Sequence, residues 1–173
     1  MLLCAGCLTA PPAFAASRAA LKYEFPVDSA LKSLKFNRRL YLVPAFSSLL
    51  LHELECHFAD TDALLPVPLH RRRQAARGFN QAQELCRPLA RATGLPLLRN
   101  VHRVRATRPQ SGLDARARRR NLSHAFAVRG ALCCRRPLIV DDIMTTGETC
   151  NQLAQLLLRN GASSVGVLVV ARA

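Results

Sequence analysis

The last third of the chain contains the pattern that most restricts its fold. The run from Pro137 to Val140 is short and wholly apolar, which is typical of a buried strand. A polar turn follows, then an amphipathic helix that extends to Asn160 and is closed by Gly161, and then a strand from Ser164 to Val170. A strand, a helix and a strand in this order favour a parallel unit with a right-handed crossover. The sequence therefore predicts an α/β domain with a parallel sheet flanked by helices.

Earlier segments supply further elements of the same domain, which we expect to span residues 19–173. Residues 1–18 have neither helical nor strand periodicity and are expected to be a linker or the remnant of a small module. Two arginine-rich stretches, 68–80 and 105–121, are expected to be loops. The other expected elements are a strand at 19–25, a helix after Pro26, a helix at 40–54 with an interruption near Pro44, a strand at 63–69, a helix at 81–93 capped by Gly94, and an extended segment at 95–104.

Two adjacent carboxylates, Asp141 and Asp142, come directly after the apolar run at 137–140. The carboxyl ends of parallel strands are where α/β sheets bind ligands. The next segment, Thr145-Thr-Gly-Glu-Thr149, supplies successive backbone N–H groups, three hydroxyls and a glycine at the start of a helix, which suits a phosphate monoester. Because carboxylates would repel a phosphate, they are expected to meet ribose hydroxyls or a bridging Mg²⁺. The expected ligand is a ribose 5-phosphate.

Other interpretations of this segment remain open. The acids and Thr149 could serve only as helix caps in an ordinary loop between strand and helix. A P-loop of the form G-x-x-x-x-G-K-[ST] is excluded, since the segment has no lysine. Cys150 follows the turn and could be a reactive thiol, and His70 and His102 could be catalytic, but packing and capping are the expected roles of these three side chains.

The charge of the chain favours anionic partners. The net charge is +14, and lysine occupies only positions 22, 32 and 35 of the 25 basic residues, so 22 are arginines. A guanidinium offers a planar fork of donors to phosphate, as in nucleotides, pyrophosphate or a nucleic-acid backbone. Seven scattered cysteines in a chain of 173 residues indicate reduced thiols and a cytoplasmic protein. No apolar run is long enough for a transmembrane helix.

The segment Val140-Asp-Asp-Ile-Met-Thr-Thr-Gly-Glu-Thr149 resembles the motif that binds 5-phosphoribosyl 1-pyrophosphate (PRPP) in type I phosphoribosyltransferases. Three further segments are similar to the ComF/GntX family of competence-associated, phosphoribosyltransferase-like proteins: Pro66-Val-Pro-Leu-His70, Arg77-Gly-Phe-Asn-Gln81 and Arg108-Pro-Gln-Ser-Gly-Leu113, with Arg118-Arg-Arg-Asn121 beyond them. The resemblance covers about residues 19–173. It implies a type I phosphoribosyltransferase-like sheet with a flexible hood loop.

The resemblance also implies roles for individual residues. Asp141 and Asp142 would be catalytic and meet the ribose, and the 5-phosphate would lie on Thr145, Thr146, Gly147, Glu148 and Thr149. Pyrophosphate would contact Arg72, Arg73 and Arg77, while Asn80 would order their loop against the sheet. The hood would present Arg108, Gln110 and Arg116 to the ligand. Ala75 stands where an arginine is usual in the basic loop, which predicts weaker binding of pyrophosphate.

Family members commonly carry a four-cysteine zinc module, but this sequence begins with one pair, Cys4-Ala-Gly-Cys7. One pair is half of a tetrahedral site. A misplaced start codon, degeneration of the module or completion by a partner chain would each explain the difference. Zinc is therefore a weak expectation for Cys4 and Cys7.

Two classes of function follow. The enzyme hypothesis is Mg²⁺-dependent transfer of phosphoribose from PRPP to an acceptor that the sequence does not identify. The binding hypothesis is a non-catalytic module that senses PRPP or holds single-stranded DNA during natural transformation, alone or with other competence proteins. The charge favours DNA, but the nine Phe and Tyr residues lie mostly in apolar patterns, whereas single strands are usually held on exposed aromatic rings.

Overall fold

The computed structural model of the protein describes residues 11–104 and 125–173. Its central sheet has four parallel strands in the spatial order β1, β6, β5, β2. These strands are β1 (Ala16–Lys22), β2 (Ala63–Pro66), β5 (Pro137–Met144) and β6 (Gly166–Arg172), and a separate antiparallel pair is formed by β3 (Val101–Arg103) and β4 (Phe126–Val128). The α/β class and the parallel sheet expected from the sequence are confirmed.

Helices cover both faces of the sheet because each strand has apolar side chains on alternate faces. The helices are α1 (Val27–Asn37), α2 (Val43–His57), α3 (Arg71–Arg77), α4 (Gln81–Thr93) and α5 (Glu148–Arg159). One core contains buried side chains of α1, α2 and α4 packed on Leu138, Val140 and Leu168. The other contains the buried face of α5 packed on Ile139, Val167 and Val169. The domain is therefore a three-layer sandwich.

Helices that the sequence predicts from their apolar period are present. A short 3₁₀ turn at Leu40–Leu42 precedes α2, and Pro44 lies in the first turn of that helix, where a missing N–H is tolerated. Gly94 ends α4 in the left-handed conformation, with φ +73°. Within the described residues, no helix combines the length and hydropathy needed to cross a bilayer.

Several sequence-based boundaries are wrong, among them the end of β5, the start of β1 and the extent of the basic loop. β5 continues beyond Val140 to Met144, so the two aspartates lie within the strand and not in a turn after it. β1 begins at Ala16, three residues before the expected start. The basic stretch 68–80 was expected to be a loop but contains α3, because His70 caps its first turn and Gly78 ends it with φ +79°.

Candidate phosphoribosyl site

The acidic pair lies in the carboxyl-terminal half of the central strand β5, after its buried residues 137–140. Asp142 is buried, and its Oδ1 accepts a hydrogen bond of 3.0 Å from the N–H of Ile143. Its Oδ2 has no hydrogen-bond partner within the described residues, and lies 3.6 Å from Nζ of Lys35 on α1. A buried carboxylate oxygen with one distant counter-ion is incompletely compensated, so it can accept a further cation or a hydroxyl donor.

Asp141 differs from its neighbour in its surroundings. One of its oxygens, Oδ1, accepts a hydrogen bond of 2.9 Å from the N–H of Asp142. Burial and then the negative charge of Asp142 raise the pKa of the Asp141 carboxyl well above its ordinary value, and Lys35 opposes the rise. The pair therefore carries repulsion that a divalent cation would relieve.

The turn after β5 leads directly into the N-terminus of α5. Gly147 is the residue before the first helical residue and has φ +76°, a conformation that favours glycine. The hydroxyl of Thr146 accepts a long hydrogen bond of 3.5 Å from the N–H of Glu148, while the Glu148 carboxylate accepts one of 2.8 Å from Gln152. Thr145 and Thr146 are exposed, so the expected phosphate turn is open to solvent beside a helix N-terminus.

Packing beneath this turn fixes the start of α5. The side chains of Met144 and Phe14 lie 3.6 and 3.9 Å from where a Cβ on Gly147 would stand. The Asn151 side chain accepts a hydrogen bond of 2.7 Å from the N–H of Ala13. Cys150 is buried, and burial raises the pKa of its thiol to about 12, so packing and not reactivity is its role.

The arginines expected to contact pyrophosphate lie on α3, which follows β2. The Nδ1 of His70 accepts a hydrogen bond of 3.2 Å from the N–H of Arg72, so His70 caps a helix. Arg72 and Arg73 are exposed, whereas the guanidinium of Arg77 lies 5.5 Å from the ring centroid of Phe36 on α1. No residue of α3 itself is buried.

Asn80 connects this segment to the sheet as the sequence predicts. Its side-chain amide donates a hydrogen bond of 3.0 Å to the carbonyl of Val67, and its Oδ1 accepts one of 3.1 Å from the N–H of Ala82 at the start of α4. Both bonds are buried. The end of the arginine segment is therefore fixed even though α3 is exposed.

Two cations near the acids were not identified from the sequence. Lys35 follows the buried Leu34 and lies four residues after the buried Leu31, so helical spacing could have placed it at the edge of the buried face. Arg103, on β3, interacts with the charges of both Asp141 and Arg73. Burial and then the charge of Arg73 lower the pKa of the Arg103 guanidinium, and Asp141 opposes that change.

A cavity of about 490 Å³ lies between α3 and β3. Its lining includes four arginines and two histidines and no aspartate or glutamate: His70, Arg71, Arg99, His102, Arg103 and Arg129. Neither the acidic pair nor the turn at 145–149 lines this cavity. The site thus separates into an acidic strand end, a polar turn and a cationic hollow.

Other predicted site residues lie outside the described part of the chain. These are Cys4 and Cys7 of the possible zinc pair and Arg108, Gln110 and Arg116 of the expected hood. Residues 11–104 and 125–173 contain no group of three or more His, Cys, Asp or Glu side chains placed to hold a metal ion. The five described cysteines are free thiols.

Sequence comparison finds relatives along nearly the whole chain. It is 41% identical to the DNA utilization protein YhgH of Escherichia coli K12 over 178 residues, which covers 99% of this chain and 78% of that protein. It is 33% identical to competence protein F of Haemophilus influenzae, covering 98% of this chain and 78% of the relative. Competence protein ComFC of Streptococcus pneumoniae is 29% identical over 90% of this chain and 67% of its own length. No family model matches the chain.

Proposed function

Since the chain belongs to the ComF family, we propose that it binds PRPP with Mg²⁺ and acts in the handling of DNA. The observation that carries the proposal is the buried, incompletely compensated carboxylate of Asp142 beside Asp141, followed at once by an open turn at a helix N-terminus. Carboxylates next to backbone N–H donors suit one ligand with hydroxyls at one end and a phosphate at the other.

The acidic pair has the donor chemistry that Mg²⁺ prefers. Oδ2 of Asp142 lacks a hydrogen-bond partner within the described residues, and burial and then the negative charge of Asp142 raise the pKa of the Asp141 carboxyl. A divalent cation satisfies both side chains, and its remaining ligands would come from PRPP and water, as is usual for Mg²⁺. The chemistry that the ion supplies is neutralisation of the charge on pyrophosphate.

The cationic hollow suits the pyrophosphate. Arg103 interacts with the charges of both Asp141 and Arg73, so it connects the acidic strand end with α3. Breaking the bond between ribose C1 and the pyrophosphate oxygen leaves negative charge on the departing group, and guanidinium groups stabilise that charge. In a transfer reaction the acceptor forms the new bond to C1 and pyrophosphate leaves. Arg72 and Arg77 remain candidates for the same role.

The role in DNA handling is supported by the relatives. Those from Escherichia coli and Haemophilus influenzae are named a DNA utilization protein and a competence protein. The net charge of +14 supports contact with a nucleic-acid backbone. A second candidate function, binding of single-stranded DNA without turnover, is supported by exposed aromatic side chains that lie beside arginines.

Calorimetry with PRPP and Mg²⁺ tests the central proposal. We expect heat of binding and a raised melting temperature, because a ligand that binds the folded state stabilises it. Asp142→Asn should weaken binding only when Mg²⁺ is present, while Asp60→Asn, on an exposed salt bridge with Arg136, should bind like the wild type. The absence of both heat and thermal shift at millimolar PRPP would exclude the proposal.

A second measurement separates an enzyme from a binding module. Release of pyrophosphate from PRPP is followed with a panel of nucleobases as acceptors. Turnover that disappears in Asp141→Asn and Asp142→Asn supports transfer. Binding of PRPP with no release by the wild type supports a sensor.

A further inference from the structure

Two of the three exposed aromatic side chains among the described residues, Phe36 and Tyr41, lie in one short segment. Six consecutive residues, 36–41, are exposed where α1 ends and the 3₁₀ turn begins. Phe36 is 68% exposed, Tyr41 69% and Leu40 40%, which makes three of the six large exposed hydrophobic residues in the described chain. The sequence places most of the nine Phe and Tyr residues in apolar patterns, and Phe36 and Tyr41 are exceptions that the structure exposes.

Arginines lie beside these rings. The Arg77 guanidinium is 5.5 Å from the centroid of Phe36, and a nitrogen of Arg39 is 3.4 Å from the hydroxyl oxygen of Tyr41. Arg38 turns the chain after α1, with φ +52°, and its guanidinium lies 6.0 Å from the ring centroid of Phe79. The arginine–aromatic surface therefore consists of Phe36, Arg38, Arg39, Tyr41 and Arg77.

The charge of this surface has one sign. Residues 29–52 contain Lys32, Lys35, Arg38 and Arg39 and no aspartate or glutamate. Residues 63–83, which include α3, contain four arginines and likewise no acid. Exposed rings next to cations, on segments that contain no aspartate or glutamate, match a polyanion that also carries flat, stackable groups.

We propose that the arginine–aromatic surface binds single-stranded DNA, with bases stacked on Phe36 and Tyr41 and phosphates on Arg38, Arg39 and Arg77. This inference rests on the proposed role in DNA handling, and it names the surface that performs that role. A duplex keeps its bases stacked on one another, so only a single strand offers them to protein rings. Lys35 immediately precedes Phe36 in the sequence and pairs with Asp142. The DNA strand would therefore lie beside the candidate phosphoribosyl site.

Fluorescence anisotropy with a labelled oligothymidylate tests the proposal. Phe36→Ala and Tyr41→Ala should each lower the affinity roughly 5- to 150-fold, the factor that loss of one stacked base produces. Phe36→Trp should retain binding. The matched control is Phe25→Ala, because Phe25 is 83% exposed but lies between Glu24 and Asp28 in the sequence, and no arginine of residues 11–104 and 125–173 stacks on its ring. This control should bind like the wild type.

The salt dependence separates stacking from phosphate contact. Phe36→Ala should leave the slope of log affinity against log salt unchanged, whereas Arg39→Gln should reduce it by about 0.7. Equal binding of a duplex with the same sequence, or wild-type affinity in both Phe36→Ala and Tyr41→Ala, would overturn the proposal.

Calorimetry with PRPP and Mg²⁺ on the same variants distinguishes this inference from the proposed function. Tyr41→Ala, which removes the hydrogen-bond acceptor of Arg39, should bind PRPP like the wild type while losing the oligonucleotide. If wild-type protein binds oligonucleotide without dependence on Phe36 and Tyr41, the surface is wrong and the role in DNA handling remains. If wild-type protein binds no oligonucleotide, the proposed surface and the DNA role are both wrong. The calorimetric heat of PRPP binding then tests the phosphoribosyl site independently.

Discussion

Two helices follow the carboxyl edge of the sheet, and both carry residues that the sequence assigns to phosphate binding. α5, after β5, buries Cys150, Leu153, Ala154 and Leu157 against the second core. α3, after β2, has seven residues and buries none of them. The turn before α5 is thus held by packing over the whole helix, while the arginines of α3 depend on caps at the two ends.

The difference indicates how each helix would treat a ligand. A turn that is fixed before binding needs little ordering and can select one geometry of phosphate. Exposed arginines on a short helix act mainly through charge and can contact several kinds of anion. We infer that selectivity comes from β5 and α5, and that attraction of polyanions comes from α3.

Of the changes that test this difference between the two helices, Gly147→Val should have the largest effect on PRPP binding. The valine would have to adopt φ near +76° at the start of α5, with strain of roughly 1–3 kcal/mol. We expect complete loss of PRPP binding, measured by calorimetry, together with lower stability. The control is Gly94→Val, which has φ +73° and no atom within 4 Å of the added Cβ. It should lose similar stability and keep binding, so a Gly147→Val protein that still binds PRPP would show that the turn is not a phosphate site.

Asp141→Asn tests whether burial beside Asp142 makes the ionised form of Asp141 unfavourable without ligand. Folding raises the pKa of the Asp141 carboxyl above its ordinary 3.8, so ionisation costs stability as the pH rises from 3.8 through the raised value. The variant should match the wild type below that window and be more stable above it, in urea unfolding at several pH values. Asp62→Asn is the control, since the Asp62 carboxylate accepts hydrogen bonds from the N–H groups of Arg135 and Arg136 and its loss should destabilise. Equal or lower stability of Asp141→Asn at neutral pH would contradict a cost of ionising Asp141 in the folded protein.

Replacing one cap near α3 and one at α4 should separate an exposed helix from a buried one. Asn80→Ala removes two buried hydrogen bonds and should lower the global free energy of unfolding by about 2 kcal/mol. His70→Ala removes one exposed hydrogen bond. Hydrogen exchange should therefore show that the free energy of local opening of α3 falls by about 1 kcal/mol, while the melting temperature stays unchanged. A large fall in melting temperature for His70→Ala would mean that α3 supports the core after all.

Thiol alkylation gives the smallest expected effect. Burial raises the pKa of Cys150 to about 12 and that of Cys134 to about 11, whereas Cys56 and Cys133 are exposed. At pH 8, mass spectrometry of the folded protein should find iodoacetamide on Cys56 and Cys133 before the other described thiols. Protein unfolded in guanidinium should react at all of them. Rapid labelling of Cys150 in the folded state would show that the start of α5 opens readily.

Much of the fold and part of the site were predictable from local pattern. The apolar period of residues 81–93 and 148–159 predicted α4 and α5, and the run at 137–140 predicted β5 but not its continuation to Met144. Polar residues end a pattern of apolar residues, yet β5 continues to pair with β6 at Asp141, Ile143 and Met144. The same limit explains α3, whose seven residues contain too few apolar positions to show a helical period.

The sequence by itself determined the paired carboxylates, the glycine that turns the chain into α5, and the asparagine that ties the arginine segment to the sheet. The carboxylates are adjacent in the chain, the glycine has a backbone angle that its residue type favours, and the asparagine caps the helix that begins one residue later, so the information is local. Only the tertiary structure decided that Lys35 reaches Asp142, that Arg103 interacts with both Asp141 and Arg73, and that Phe36 is exposed beside Arg77. These pairs come from separate elements, and their approach depends on how helices and strands pack on the sheet, which no single segment encodes.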